Sequence, residues 1–352
     1  MVQTKGSTST PQSLLVAVPG PGGAGVGAPT GIIFNSSTNF TVLVGTNHAV
    51  ARFIFATEDG TIAGWASGAV AVIAADRSAD GSVYKGLAVG SWGGKGYLYT
   101  ADFHNGTVDV YDSQFHLLNW LGAFTDATIP VGFAPFNIQN LGGLLYVTYA
   151  KQDADAHDDV SGPGNGFINV YTQGGDFIKR FATQGVLNSP WGLAVAPKSF
   201  GALGGSLLVG NFGDGRINAF DPMTGASLAF VSDTFGEAIE IHGLWGLDFG
   251  NGSKGGDTNT LYFAAGIPGD GSVEDHGLFG GISAAGPAIR LLPPVLGGGG
   301  LTLSWQGGTP PYRVQSKSDL TSANWTDLVR TTNGFLTVAP VTDQAFYRVT
   351  TD

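Results

Sequence analysis

The sequence predicts an all-β protein: a β-propeller of five or six blades followed by a small β-sandwich. Two observations predict the propeller, a repeat of about 54 residues that occurs five times and a second motif inside the first four repeats. A change of composition near residue 285 predicts the second domain. With 57 glycines and only 12 % charged residues in a chain that is 43 % hydrophobic, the composition fits many short strands joined by tight turns.

The first motif is a Pro or bulky apolar residue, a variable residue, a glycine and an aliphatic residue. It occupies residues 29–32, 84–87, 135–138, 190–193 and 244–247. The third positions, which we call the anchors, are Gly31, Gly86, Asn137, Gly192 and Gly246, spaced 51 to 55 residues apart. Asn fits the third copy because Asn tolerates a positive φ better than other residues with a side chain.

The second motif is Gly, any residue, a β-branched residue and then an aromatic three positions on. It starts at Gly60, Gly106, Gly166 and Gly215, and it is typical of a hairpin turn that opens a strand. Each repeat therefore contains three or four short strands. Four-stranded modules repeated radially predict a propeller, whereas a helical solenoid would need a 3.6-residue periodicity that the sequence lacks.

We divide the chain into a flexible amino terminus (1–12), the propeller (13–284), a Pro/Gly linker (285–300) and a fibronectin-like β-sandwich (301–352) with five alternating strands. The fifth repeat is one strand short, and residues 13–18 form an extra strand before the first repeat. Because an unclosed propeller exposes strand edges, we expect residues 13–18 to pair with the last blade near residues 278–282.

Residues 51–60, 149–166 and 189–221 resemble a family of uncharacterised exported bacterial NHL-like β-propeller proteins, which often carry carboxyl-terminal sorting signals. Family members usually begin with a signal peptide and one further blade, so by this resemblance the chain looks amino-terminally truncated. Residues 301–305, 325–327 and 346–349 resemble fibronectin-like domains of secreted bacterial proteins. The resemblance implies an extracellular or cell-surface location, although the sequence contains no recognisable signal peptide. It implies no particular activity.

Charge and composition exclude several classes of protein. The net charge of −11, the pI near 4.8 and the lack of any basic run exclude a typical nucleic-acid binder. No run of 18 apolar residues is present, so we expect no membrane span. The absence of cysteine excludes disulfides and thiolate chemistry.

Polar residues near the anchors are candidates for a ligand site, because propellers usually bind ligands at the mouth of the central channel. These residues are Lys85, Asp102, His104, Asn137, Asn211 and His242. Their carboxylate and amide oxygens are suited to Ca²⁺, as in propeller lactonases. The alternative is that the Asp and Asn residues simply stabilise hairpin turns, where these residue types are favoured.

A second candidate metal site is the acidic segment that contains Asp153, Asp155, Asp158 and Asp159. Four carboxylates so close together repel one another unless a cation such as Ca²⁺ offsets them. The spacing does not match an EF-hand, and a solvated acidic loop explains the same composition. Ca²⁺ is the only cofactor that the sequence suggests.

We expect a non-catalytic extracellular or cell-surface propeller that serves as a binding scaffold for a protein or polysaccharide. The sequence contains neither a Gly-x-Ser-x-Gly elbow nor a zincin pattern. The residues just before the anchors are Thr30, Lys85, Phe136, Trp191 and Trp245, which include no carboxylate. The alternatives are a Ca²⁺-dependent hydrolase of the lactonase type and a carbohydrate-binding module. Converging oxygen ligands in the channel would favour the hydrolase, whereas apolar side chains there would favour the scaffold.

Overall fold

The structure is a computed structural model that describes residues 2–3, 14–267, 276–284, 289–321, 324–339 and 344–351. The chain folds into two compact units. One is Thr4–Ser283, and the other joins Met1–Gln3 to Ala284–Asp352. Almost all regular structure is β, with short 3-10 turns at Pro21–Gly23, Ser78–Asp80 and Gly201–Leu203.

The first unit consists of five antiparallel sheets, blades 1 to 5, in chain order. The short strand β1 (Val2–Gln3) precedes them. Blade 1 contains β2 (Pro29–Phe34), the inserted hairpin β3 (Thr41–Val44) and β4 (Asn47–Val50), then β5 (Phe53–Thr57), β6 (Thr61–Trp65) and β7 (Val72–Asp76). Blade 2 contains β8 (Tyr84–Trp92), β9 (Lys95–Asp102), β10 (Thr107–Asp112) and β11 (Leu117–Leu118). Blade 3 contains β12 (Phe133–Leu141), β13 (Leu144–Lys151), β14 (Gly166–Tyr171) and β15 (Phe177–Thr183).

Blades 4 and 5 complete the unit. Blade 4 contains β16 (Pro190–Val195), β17 (Leu207–Asn211), β18 (Ile217–Phe220) and β19 (Ser227–Phe230). Blade 5 contains β20 (Leu244–Phe249), β21 (Thr260–Ile267) and β22 (His276–Ala284). The first strand of each blade packs against the first strand of the next, so we call β2, β8, β12, β16 and β20 the inner strands. This arrangement confirms the predicted all-β propeller.

Every anchor lies at an irregularity in its inner strand. The register shifts between Pro29 and Gly31 in blade 1, and equivalent shifts occur in the other four blades. A bulge of this kind bends the strand and redirects its side chains. None of the five anchors has a positive φ, so the reason given above for Asn137 is wrong. The next blade closely approaches three of the glycine anchors, Gly31, Gly86 and Gly192; a Cβ on Gly192, for example, would lie 2.6 Å from the Trp245 carbonyl oxygen.

The second motif does form hairpin turns in three blades. Gly60, Gly106 and Gly215 adopt φ values of 78°, 68° and 71°, which glycine reaches without steric cost. Gly166 is different, because it begins β14 with no positive φ.

The predicted pairing of residues 13–18 with the last blade is wrong. Ser13 lies outside the described residues, but Ala17 forms a parallel bridge with Val70, beside the outer strand of blade 1. Val18 is buried against Ala63 and Ala71. The segment therefore covers an apolar patch of blade 1.

The carboxyl-terminal unit is a small β-sandwich, as predicted. One sheet joins β23 (Arg290–Leu291), β24 (Val295–Gly297), β25 (Gly300–Gln306) and β28 (Phe335–Val338), and the other joins β26 (Tyr312–Lys317), β27 (Thr326–Thr331) and β29 (Phe346–Thr351). Leu303, Trp305, Tyr312 and Val314 form its buried core. The predicted linker at 285–300 is not wholly irregular, because β23 and β24 lie within it. Residues 1–12, apart from Val2–Gln3, lie outside the described residues.

Candidate functional site at the inner strands

The inner strands surround a cavity of about 680 Å³. All five blades contribute to its wall, through residues such as Ile32, Val89, Ile138, Gly192 and Leu247. The wall is mainly aliphatic and aromatic, and the polar side chains of Asn137, Gln139, Asn140 and Asp248 also line it. This is the channel at which the sequence predicts a ligand site.

Five aromatic side chains, which we call the aromatic plug, cluster at one end of the inner strands. They are Phe103, Phe136, Trp191, Phe212 and Trp245. Their ring centroids are close, with 4.9 Å between Phe136 and Trp191 and 4.4 Å between Trp191 and Trp245, both in edge-to-face geometry. Such pairs add stability beyond the area that they bury. Trp191 and Trp245 also line the cavity, so the plug forms one end of it.

Lys85 is the buried cation at this end of the channel. It is only 2 % exposed, and its Nζ forms an ion pair with Glu58 and lies 3.5 Å from Asp158 Oδ1. The same Nζ stands 5.7 Å from the ring centroid of Phe103, a cation–π distance. Glu58 follows β5 of blade 1, and Asp158 lies in the loop after β13 of blade 3. The ion pairs thus join three blades around one ammonium group.

The other predicted polar residues of blade 2 do not reach the cavity wall. Asp102 is buried and accepts hydrogen bonds from the backbone N–H of Val83 and Asn105 and from Asn105 Nδ2, at 2.9 to 3.3 Å. It therefore holds the turn between β9 and β10. His104 is exposed in the same turn. For both residues, the position in the structure fits the alternative that they belong to a hairpin turn and not to a ligand site.

Asn137 and Asn211 are both buried, but in structural hydrogen bonds. Asn137 Nδ2 donates to the Trp191 carbonyl oxygen at 2.8 Å and lines the cavity. Asn211 Nδ2 donates to the Val186 carbonyl oxygen at 2.8 Å, and its Oδ1 accepts from the Asn188 N–H. His242 is exposed before β20. Of the six predicted channel residues, only Lys85 and Asn137 lie on inner strands and bond to a residue of a neighbouring blade.

The acidic segment is a surface loop between β13 and β14. Asp153 Oδ1 accepts a hydrogen bond from the His157 N–H. The backbones of Gln152 and Asp159 form an antiparallel β-bridge across the loop. Asp155 is exposed, and Asp158 faces Lys85. Burial raises the pKa of the Asp159 carboxyl, and the charge of Lys85 opposes that shift. Within the described residues, no group of three or more His, Cys, Asp or Glu side chains is arranged to hold a metal ion.

Sequence reasoning missed two features of this site. Glu58 precedes the Gly60 turn and is 27 residues from Lys85 in sequence, so nothing local predicts their pairing. Phe103 and Phe212 follow β9 and β17 at equivalent places, directly after Asp102 and Asn211. That shared position in the repeat is a signal that could have placed both rings beside the anchor aromatics.

Comparisons with known proteins give relatives without an assigned activity. The chain is 37 % identical over 227 residues to one uncharacterised protein of Acanthamoeba polyphaga mimivirus, covering 62 % of the chain and 42 % of that protein. It is 35 % identical over 246 residues to a second one, covering 67 % of the chain and 59 % of that protein. The chain thus spans about half the length of the curated relatives that it matches. A scan of protein-family models found no match.

These relatives correct the predicted resemblance to bacterial exported proteins, which is wrong, because the matching proteins belong to a giant virus. Of the segments that carried the resemblance, only residues 189–221 contain an inner strand, β16; residues 51–60 include β5, and residues 149–166 are mostly the loop between β13 and β14. Among solved structures, a gluconolactonase from Xanthomonas campestris is 16 % identical with a TM-score of 0.46, covering 80 % of this chain and 83 % of that one. In the described part of the chain, no helix is long and apolar enough to cross a membrane.

Proposed function

We propose that this chain is a non-catalytic binding propeller. The observation that carries the proposal is the aromatic plug, which fills the end of the channel with ring contacts as short as 4.4 Å between centroids. In a lactonase-type enzyme this region would need several oxygen ligands around one ion and a base within reach of the attacked water. Here Lys85 is held in ion pairs and Asn137 in a backbone hydrogen bond. These groups are committed to holding neighbouring blades together.

The binding surface that we propose is the apolar wall of the cavity where it reaches solvent. Ile32 and Phe34 are each 61 % exposed, and Phe279 is 66 % exposed; all three line the cavity. Exposed apolar patches on soluble proteins commonly mark protein interaction sites. We favour a protein partner over a polysaccharide because these most exposed side chains of the wall are apolar.

The test of the non-catalytic assignment is a turnover assay. Purified full-length protein is incubated with a panel of lactones and simple esters, with and without added Ca²⁺. We expect no turnover above the buffer background. Ca²⁺-stimulated hydrolysis that is lost in Asn137→Ala or Asn211→Ala, while exposed Asn119→Ala retains it, would overturn the proposal in favour of a lactonase-type hydrolase.

An extracellular or cell-surface location, with the sandwich as a fibronectin-like spacer, is part of the same proposal. A chain with no cysteine folds without disulfide formation. Its folding would therefore not depend on whether the compartment is oxidising or reducing. Surface labelling of intact producing cells with an antibody against the propeller would test the location. A signal that appears only after the cells are opened would contradict it.

A further inference from the structure

We propose that the space between blades 1 and 5 is a docking site for one more blade of this same repeat, presented by a partner polypeptide. This inference rests on the proposed binding function and names the partner's chemistry. The partner would offer an inner strand in which a small anchor residue is followed by an aliphatic residue. The four junctions between consecutive blades show why such a strand fits.

At each of these junctions, the anchor of one blade contacts the inner strand of the next. A Cβ on Gly31 would lie 2.5 Å from Leu87 Cδ2 and 2.6 Å from the Lys85 carbonyl oxygen. A Cβ on Gly192 would lie 2.6 Å from the Trp245 carbonyl oxygen and 2.8 Å from Leu247 Cγ. At these two junctions, a glycine anchor thus meets the backbone of the next blade and the aliphatic residue that follows its anchor.

Blade 3 keeps these contacts between neighbouring blades although its anchor is Asn137. A Cβ on Gly86 would lie 2.7 Å from Asn137 Cα, so the blade 2 anchor contacts blade 3 as closely as at the other junctions. Asn137 itself reaches blade 4 through its hydrogen bond to Trp191. Even with a side chain at the anchor, the connection from one blade to the next is therefore kept.

Blades 1 and 5 present the two unfilled halves of such a junction. Gly246 is the anchor of blade 5, and a Cβ built there would have no described atom within 4 Å. Ile32 follows the anchor of blade 1 and is 61 % exposed, whereas its counterparts Leu87, Ile138, Leu193 and Leu247 are 0 to 7 % exposed. Gly246 of blade 5 thus lacks an aliphatic side chain to contact, and Ile32 of blade 1 lacks a small anchor to pack against.

The sheet faces beside these positions are apolar as well. Phe279 of blade 5 is 66 % exposed and stacks on Tyr262, with the rings 7° from parallel and 5.7 Å apart. Phe34 of blade 1 is 61 % exposed and forms an edge contact with Phe53. The closed junctions bury equivalent faces in apolar clusters, such as the one that contains Ala88, Ile138 and Leu145. A blade that fills the space would bury both free faces in the same manner.

The experiment uses single-cysteine variants, because the chain has no native cysteine. Ile32→Cys reports on the free face, and Leu193→Cys is the matched control at a closed junction. Each full-length variant is checked for its native circular dichroism and then labelled with a maleimide. The probe is a synthetic peptide of residues 188–212, which carries β16 and β17, and the control peptide contains Gly192→Val.

In the protein alone, we expect Ile32→Cys to be labelled at least about tenfold faster than Leu193→Cys, since labelling of a buried thiol requires local opening. The probe peptide should slow the labelling of Ile32→Cys several-fold, and the control peptide should not. Fast labelling that millimolar probe leaves unchanged would overturn the proposal. Slow labelling of Ile32→Cys in the protein alone would also overturn it. If that slow rate is independent of protein concentration, the chain closes the space itself. If the rate rises on dilution, a second copy of the chain closes it. The turnover assay reports separately on the non-catalytic assignment.

Discussion

The side chain of Asn137 in blade 3 donates a hydrogen bond to the backbone carbonyl of Trp191 in blade 4, at 2.8 Å, and both residues are at most 7 % exposed. This bond takes the place of the bare backbone approach made by an anchor glycine. It couples the third repeat, in which the glycine is replaced, to the aromatic plug.

Asn137→Ala should therefore destabilise the propeller. The substitution leaves the buried Trp191 carbonyl oxygen without this donor, which should cost about 1–3 kcal/mol in the free energy of unfolding. Urea denaturation followed by tryptophan fluorescence measures the loss. Asn119→Ala, at an exposed position, is the control and should change stability by less than about 0.5 kcal/mol. Equal effects of the two substitutions would contradict the role of the bond.

Two glycines at equivalent anchors should respond differently to alanine. Gly192→Ala places a Cβ within 2.6 Å of the Trp245 carbonyl oxygen, whereas Gly246→Ala meets no described atom within 4 Å. We expect Gly192→Ala to cost about 1–3 kcal/mol through overpacking and Gly246→Ala to be nearly neutral. Thermal unfolding of both variants checks this difference. A large loss at Gly246 would mean that a neighbouring segment already packs there.

The two acidic partners of Lys85 should contribute unequally. The side chain of Glu58 is 24 % exposed and that of Asp158 is 67 % exposed, and Glu58 is the nearer partner of Nζ. Glu58→Gln removes the nearest carboxylate from a buried ammonium, and we expect it to cost about 2 kcal/mol or more. Asp158→Asn removes a solvent-screened partner and should cost less than about 1 kcal/mol. Denaturation at low and high salt should show a marked salt dependence for the Asp158 contribution alone.

Acid should weaken the contact that Asp126 makes with blade 3. Burial raises the pKa of Asp126, but hydrogen bonds from Thr128 and Arg180 outweigh it and lower the pKa to about 2. Asn169 Nδ2 also donates to this carboxylate, at 3.0 Å. Because this pKa lies below the unfolded value of about 3.9, the carboxylate stabilises the fold above about pH 4 and loses that effect as the pH falls toward 2.

The corresponding measurement is the stability of the wild type and of Asp126→Asn between pH 5 and pH 2. The variant should be less stable at pH 5 and should lose less stability on acidification. Asp155→Asn, in an exposed loop, should keep the wild-type pH dependence. A variant whose acid response equals that of the wild type would show that other carboxylates govern the acid unfolding.

The repeat was sufficient to predict the blades. Gly31, Gly86, Asn137, Gly192 and Gly246 all lie on inner strands. At Gly31, Gly86 and Gly192, the close approach of the next blade restricts the residue type, which makes the repeat visible in the sequence. The position of residues 14–18 could not be predicted in the same way. Their short apolar run could cover any apolar patch, and only the packed structure shows that Val18 fits beside Ala63 and Ala71.

The candidate site was predictable only in part. The aromatic residues before the anchors were identified from their equivalent places in the repeat, and these rings do converge in the plug. Asp102 stabilises its own hairpin turn, and Asn211 bonds to the backbone of Val186 and Asn188. A sequence cannot distinguish these structural roles from ligand binding, because the residue types are the same. The partners of Lys85 come from two other blades, 27 and 73 residues away, so their pairing depends on a tertiary arrangement that no local pattern encodes.

The free faces at Ile32 and Gly246 also have a mechanical consequence. Blades 2, 3 and 4 each pack between two neighbours, whereas the free faces of blades 1 and 5 meet no described blade. The propeller then behaves as a linear chain of coupled units, in which stability is a sum of nearest-neighbour terms and fraying starts at the ends. Amide hydrogens of β5 and β21 should exchange before those of β13. A blade docked between the ends would turn the line into a ring, and its binding would protect both terminal blades at once.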